Sequence, residues 1–233
     1  MLTISGFQKA GEYWQLFLQG VVCTISLSAL TVFFGFILAM ILAVCRLGKS
    51  KILKAIATVY VELFRATPMV VQVFVIFYVV FNGVKVLPGF KLFGFIRFDR
   101  FFPAVVALAL NSGAYLSEII RSGIQSIDLG QTEASRSLGL SAWKTMRYVI
   151  LPQAIKNILP AIANEFVAII KESAICYTIG VQDIMSAVNA VKGATYRMGE
   201  ALIIATILYF CLTYPTSKII EHFERKMSAG DKR

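Results

Sequence analysis

Glu165 is the residue whose position in the sequence most needs a chemical explanation. It lies within a largely apolar run, residues 149–170, that is long enough to cross a bilayer as a helix. An ionised carboxylate at mid-bilayer costs roughly 3 kcal/mol even on the lenient insertion scale, so it requires a partner or a function. Lys156 is about 14 Å away along an ideal helix, too far to neutralise it. Glu165 is therefore a candidate for binding a polar or cationic ligand.

Further polar side chains recur at helical spacing in the apolar runs. Asn164 directly precedes Glu165, while Asn111 and Tyr115 share one face of an earlier run, with Ser112 beside them. Two such faces could line a cavity near the bilayer centre, the depth at which transporters bind their substrates. Alternatively, these groups only hydrogen-bond the helices to one another.

The composition indicates a membrane protein. Of the 233 residues, 58% are hydrophobic and 15% are charged, whereas soluble domains carry about a quarter charged residues. The net charge of +10 is spread over short clusters between apolar runs, which argues against nucleic-acid binding. One histidine, His222, and four scattered cysteines offer no metal-ligand spacing, so a metal centre or an intramembrane enzyme is not expected. The cysteines, which we interpret as small apolar fillers, are Cys23, Cys45, Cys176 and Cys211.

The elements that must position these residues are about five membrane-spanning helices in a single domain, residues 1–233. The predicted spans are residues 21–45, 66–84, 101–118, 149–170 and 201–217. Residues 1–20 are predicted to form an interfacial helix with Trp14 at headgroup level, and residues 174–191, which contain Asp183, a re-entrant or surface segment. Pro68 and Pro160 could kink helices at moving gates, or be ordinary tolerated kinks.

The distribution of basic residues predicts the orientation. With the N-terminus outside and the C-terminus in the cytoplasm, this arrangement places 14 Lys and Arg residues on the cytoplasmic side and 8 outside. Cytoplasmic loops carry the excess of positive charge in membrane proteins.

A polar loop, residues 121–148, separates the third and fourth predicted spans and is much longer than a connector needs to be. We expect a helix over about 129–138, with Glu133 close enough to its start to interact favourably with the helix dipole. Gly139 suits a left-handed C-terminal cap and Ser141 can cap the next helix. Ala134 and Leu138 share one face and Arg136 lies on another, so the helix could dock into a partner's groove or lie on lipid.

These stretches resemble a known family. Glu133-Ala134-Ser135, then Gly139, then Val149-Ile150-Leu151-Pro152 is similar to the EAA signature of permeases in binding-protein-dependent ABC importers, with Ser135 and Val149 as conservative departures. Four further stretches resemble the polar-amino-acid branch of that family: residues 65–72, residues 114–126, Asn164-Glu165-Phe166 and Lys171-Glu172-Ser173.

The resemblance implies an all-α membrane protein of the type I ABC importer fold, with about five transmembrane helices and a cytoplasmic coupling helix, in a bacterial inner membrane. It implies a dimer of permeases, an external solute-binding protein and an ABC ATPase that docks through Glu133, Ala134, Ser135, Arg136 and Gly139. The chain contains no Walker A sequence, so it is expected not to be an enzyme, and ATP and Mg are assigned to the ATPase, with no cofactor on this chain.

The implied substrate is a polar or basic amino acid. Glu165 could accept hydrogen bonds from an ammonium group, and Asn111, Ser112, Tyr115 and Asn164 could donate to a carboxylate. Gln72, in the segment 65–72, is included among the candidate substrate-binding residues. The alternative is an ion channel or a secondary transporter without an ATPase. It would predict an acidic ring or an inverted repeat, neither of which is found, and it leaves the 121–148 loop unexplained.

Overall fold

The computed structural model describes residues 2–83 and 87–228 as an assembly of helices with one short hairpin. The helices are α1 (Ile4–Gly11), α2 (Trp14–Leu47), α3 (Lys51–Ala66), α4 (Met69–Phe74), α5 (Phe98–Gln125), α6 (Leu129–Ser137), α7 (Ala142–Thr145), α8 (Leu151–Glu172), α9 (Ile184–Thr195) and α10 (Met198–Ser228). A π-helical segment, Val75–Val80, continues α4, and another, Met146–Ile150, joins α7 to α8. A 3₁₀ helix, Ser173–Ile179, follows α8, and strands β1 (Lys91–Leu92) and β2 (Ile96–Arg97) pair antiparallel before α5.

The helical membrane fold predicted from the sequence is confirmed. In the described part of the chain, α2, α5 and α10 are each long and apolar enough to cross a membrane. The pair α3 and α4 meets the same criteria jointly but is bent by 109°. The other predicted span corresponds to α8, whose 22 residues include both Lys156 and Glu165.

The second predicted span, residues 66–84, corresponds to α4 and the π-helical segment that continues it, and a break at its start separates it from α3, which was not predicted. Helix α3 ends at Ala66, and Thr67 is extended, with φ −110° and ψ 145°. Pro68 explains the break, because its ring disfavours helical geometry in the preceding residue and it has no N–H to donate. The predicted end of this span, Val84, lies outside the described residues.

The segments before and after the spans also differ in detail from the predictions. Residues 1–20 form α1 and the first turns of α2, so the first span begins at Trp14 rather than at residue 21. The predicted re-entrant or surface segment is the 3₁₀ helix followed by α9, and Asp183 caps α9 by accepting a hydrogen bond from the Ser186 N–H at 2.8 Å. At Gly20, an added Cβ would lie 2.8 Å from the Asp183 carbonyl oxygen, so a glycine lets α2 approach α9 closely.

The core is built around the contact of α2 with α5, against which α3, α8 and the 3₁₀ helix pack. Cys23 and Cys176 are fully buried in the cluster at one end of this core, as expected for apolar fillers. Cys45 is half-buried and Cys211 is exposed. A second cluster joins α1, α9 and α10, where the buried Glu200 accepts a hydrogen bond from the Thr3 N–H at 3.3 Å. This arrangement leaves the polar face of α5 opposite the break in α3–α4 and the end of α8.

Candidate functional site

A cavity of about 350 Å³ opens where the α3–α4 break, the middle of α5 and the end of α8 meet. Its lining combines polar, charged and apolar side chains: Thr67, Met69, Asn111, Tyr115, Lys171, Glu172, Ala174 and Ile175. Asn111 is the fourteenth of the 28 residues of α5, so the cavity lies near the middle of that span. Another groove, of about 390 Å³ between α2 and α5, is lined by hydrophobic residues and offers no charge to a polar ligand.

Lys171 and Glu172 bring opposite charges to one wall of the cavity. They are the last two residues of α8, and the chain then tightens into the 3₁₀ helix. Both side chains are exposed, and together they present an ammonium and a carboxylate. Neither Lys171 nor Glu172 was among the candidate binding residues predicted from the sequence. The Lys171-Glu172-Ser173 motif is recognisable in the sequence. The sequence does not show, however, that Lys171 and Glu172 lie beside a cavity at the middle of α5.

Glu165 lies on α8 two turns before Glu172, about 10 Å along the helix. It is half-buried, and Ser112 of α5 donates a hydrogen bond to it, with 3.2 Å between Oγ and Oε1. Two predicted site residues are thereby brought together. Asn164, beside Glu165, is exposed on the surface of α8.

Gln72 and Asn111 use their amide groups at the α3–α4 break. Gln72 Nε2 donates to the Phe64 carbonyl oxygen at 2.7 Å and to the Thr67 carbonyl oxygen at 3.0 Å. Asn111 Nδ2 donates to Gln72 Oε1 at 2.8 Å. Asn111 also lines the cavity, whereas Gln72 is 7% exposed and lies outside the lining. Contact of either residue with a substrate stays a prediction.

Two cationic side chains, one from α2 and one from α3, pack on the C-terminal half of α5. The Arg65 guanidinium lies over the Tyr115 ring, 5.6 Å from its centroid. Glu118, which shares a face with Asn111 in the sequence, pairs with Arg46 of α2 at 2.6 Å and with Arg121 one turn later. This network ties α2 to α5, and it gives the Glu118 carboxylate two positive partners.

The 121–148 loop contains the expected helix and turn. Helix α6 ends at Ser137, one residue before the predicted end, and Gly139 has φ +83°, the left-handed conformation predicted for it. Ser141 caps α7 by accepting a hydrogen bond from the Lys144 N–H at 3.3 Å. The expected dipole role of Glu133 is wrong, because it is the fifth helical residue and lies beyond the first turn. The N-terminal cap is Asp128, which sequence reasoning did not identify.

Helix α6 packs against α7 and the π-helical segment before α8, and much of its remaining surface is exposed. Glu133, Ala134 and Arg136 are exposed, while Ser135 is buried and donates to the Gln131 carbonyl oxygen at 2.6 Å. Four large apolar side chains add to this surface and are between 67% and 85% exposed: Leu129, Leu138, Trp143 and Tyr148. Of these, only Leu138 was included in the predicted helix surface. A projecting helix with exposed apolar residues beside charged ones is suited to a protein partner.

Comparison with known proteins identifies the family. Residues 31–229 match the family model described as binding-protein-dependent transport system inner membrane component. The chain belongs to this family. It is 40% identical to the arginine transport system permease ArtQ of Bacillus subtilis over 92% of this chain and 93% of that protein. It is also 37% identical to the putative glutamine transport system permease GlnP of Rickettsia typhi, over 90% and 92% of the two chains. The nopaline transport system permease NocM of Agrobacterium fabrum is 36% identical over 90% and 86%.

Solved structures support the same assignment. A crystal structure of an amino acid ABC transporter with histidines contains a chain that is 39% identical, with a TM-score of 0.87, over 97% of this chain and 100% of that one. An inward-facing structure of the MetNI methionine ABC transporter matches with a TM-score of 0.66 at 19% identity, which supports the fold alone. The chain is therefore a multi-pass inner-membrane permease of the type I ABC importer fold. Permease subunits of this family are not themselves catalytic, and membership implies an ATPase and a substrate-binding protein as partners in general terms.

The position of Lys171 predicts that this part of the permease is in contact with water. In a background without the native cysteines, Lys171→Cys in proteoliposomes should react with a maleimide about tenfold faster than two control variants, because alkylation requires an ionised thiol. The controls are Ile169→Cys, which is fully buried, and Leu159→Cys, which is 46% exposed on the same helix. Equal rates for Lys171→Cys and Leu159→Cys would show that the cavity is not aqueous.

Proposed function

We propose that this permease lines the translocation path of an ATP-driven importer of polar or basic amino acids. The observation that carries the proposal is the mid-span cavity, in which Lys171 and Glu172 present charges complementary to those of a zwitterion. The relatives named for arginine, glutamine and nopaline transport support this substrate class. Transport would proceed by alternating access, with the cavity opened to one side of the membrane at a time.

The substrate contacts that we propose begin with the amino-acid backbone. Lys171 would bind the carboxylate and Glu172 the ammonium, Tyr115 would donate a further hydrogen bond, and Asn111, whose N–H groups are bonded within the protein, would accept one through Oδ1. A buried charge is stabilised only when it is paired, so both charges of the zwitterion require such partners.

Glu165 would recognise the substrate's side chain. It lies two turns before Glu172 on the same face of α8, so a long basic side chain that leaves the Lys171 and Glu172 pair would extend toward it. Ser112 orients its carboxylate, and Asn164 is available next to it. This arrangement favours arginine or lysine over a short neutral side chain.

The proposed partners bind on opposite sides of the membrane. The exposed surface of α6, with Glu133, Ala134 and Arg136, would dock one ATPase, and the buried Ser135 and the turn at Gly139 would hold that surface in shape. Two permease chains would form a dimer, and an external solute-binding protein would deliver the amino acid. ATP and Mg would be bound by the ATPase, and this chain would bind no cofactor.

The proposed orientation has the N-terminus outside and the C-terminus in the cytoplasm. In this orientation α6 lies on the cytoplasmic side, where the ATPase would bind. The excess of basic residues on the cytoplasmic side supports it. A reporter protein fused after Arg233 should be active only if it functions in the cytoplasm. Activity of a reporter that requires the external compartment would reverse the topology.

The turn at Gly139 and the charge of Glu133 should matter for coupling rather than for folding. Gly139→Val forces a β-branched residue to φ +83°, and Glu133→Arg reverses an exposed charge on α6. Both variants should insert into the membrane in normal amounts, yet lose most transport-stimulated ATP hydrolysis. Gly193→Val, at a glycine of α9 with open space around it, and Glu224→Arg serve as controls. Normal stimulated hydrolysis in both coupling variants would refute the assignment of α6.

Glu165→Gln should selectively impair the transport of basic amino acids. The substitution keeps the size and the acceptor for Ser112 but removes the charge, and loss of one partner of a buried pair typically costs about 3–5 kcal/mol. Uptake of L-arginine by reconstituted complex should fall by at least about tenfold, with assembly intact. Uptake of L-glutamine should fall less, and Glu224→Gln, an exposed position, should change neither. Unchanged uptake of every substrate would make Glu165 part of the scaffold.

A further inference from the structure

Pro68 creates a hydrogen-bonding deficit at the depth of the cavity. In a continuous helix the carbonyl oxygen of Phe64 would accept from the N–H of residue 68, four positions later. Proline has no N–H, and the chain turns by 109° at this point, so Phe64 and the residues after it lose their helical donors. Within a bilayer such groups must find a partner inside the protein, since the hydrocarbon offers none.

The side chain of Gln72 supplies that partner from the helix after the break. Its Nε2 atom lies within hydrogen-bonding distance of three acceptors before the break: the Phe64 carbonyl at 2.7 Å, the Thr67 carbonyl at 3.0 Å and the Thr67 hydroxyl at 2.8 Å. The Thr67 hydroxyl donates in turn to the Leu63 carbonyl at 2.8 Å. One amide therefore joins the last turn of α3 to the first turns of α4.

Asn111 extends this connection to α5. Its Nδ2 atom donates to Gln72 Oε1 at 2.8 Å and approaches the Phe64 carbonyl at 3.3 Å. One turn before Phe64, near the middle of α3, the Tyr60 hydroxyl donates to the Leu110 carbonyl at 2.8 Å. Helix α3 is thus attached to α5 at two places, one of them at the break itself.

We propose that Gln72 and Asn111 are positioning residues, which form an amide clamp that fixes the bend between α3 and α4 and thereby shapes the cavity. Thr67 and Met69, on the two sides of the bend, both line the cavity. Arg65, in the last turn of α3, lies over the cavity residue Tyr115. A change of the bend would therefore move several parts of the cavity wall together. The consequence for substrate binding rests on the proposed function, whereas the effect on the bend does not.

The clamp differs in its consequences from direct contact between Gln72 and substrate. A residue that touches one group of the substrate discriminates between ligands that have that group and ligands that lack it. A residue that only shapes the wall changes the affinity for different amino acids by a similar factor. Gln72→Met keeps the length of the side chain and removes both donors, and Val71→Met places the same side chain on a neighbouring, exposed position of α4 as a control.

The bend is measured first, without substrate. Spin labels are placed at Ile56 of α3, which is 63% exposed, and at Val79 after α4, which is 73% exposed. They report the distance across the break in the assembled permease–ATPase complex without native cysteines. Labelled chains are diluted with unlabelled ones, so that only distances within one chain contribute. The unsubstituted chain and Val71→Met should give one narrow distribution, and Gln72→Met a broadened or shifted one. An unchanged distribution in Gln72→Met would overturn the clamp.

Binding of L-arginine and L-glutamine to the same detergent-solubilised complex, without the binding protein, is measured second. Gln72→Met should weaken both by a similar factor of about ten, the effect expected when buried acceptors lose their donors. A loss for only one ligand with an unchanged bend would make Gln72 a contact residue, and unchanged affinity with an altered bend would show that the clamp does not shape the site. If the unsubstituted complex binds neither amino acid, the proposed function fails while the distance measurement still decides on the clamp.

Discussion

The absence of hydrogen-bonding partners in hydrocarbon is the constraint on which this structure depends. Each backbone group at membrane depth must be satisfied within the protein, so a span can break only where side chains replace the lost helical bonds. At Pro68 the side-chain amides of Gln72 and Asn111 donate to the Phe64 carbonyl in place of the lost helical bond. The break also places Thr67 and Met69 in the wall of a polar cavity beside α5 and α8.

The same constraint determines where charge is tolerated. Glu118 is held by Arg46 and Arg121 near the C-terminal ends of α2 and α5, and Glu165 accepts a hydrogen bond from the Ser112 hydroxyl. Lys171 and Glu172 line the cavity. Charges that serve the scaffold are therefore paired within the protein, whereas those nearest the cavity keep capacity for a ligand. The π-helical segment at the other end of α8 packs against α6, so α8 connects the cavity with the surface of α6.

Local signals in the sequence were sufficient for elements whose structure is decided locally. The left-handed Gly139, the Ser141 cap and the limits of α6 follow from single-residue chemistry, and long apolar runs identify α2, α5 and α10. The pairing of Ser112 with Glu165 agrees with the polar faces seen in the sequence. The 109° bend, the depth of Lys171 and the role of Gln72 depend on how distant helices pack, which periodicity does not encode. Thus Gln72 reads as a polar residue in a span, although its amide is committed to the backbone.

The central claim is that the mid-span cavity between the α3–α4 break, α5 and α8 binds the transported amino acid. The most direct test is a structure of the assembled permease–ATPase complex determined with and without L-arginine. Ligand density should fill the cavity, with the carboxylate at Lys171, the α-ammonium at Glu172 and the side chain directed toward Glu165. Density on another face of α8, or an empty cavity in a complex that transports arginine, would contradict the claim.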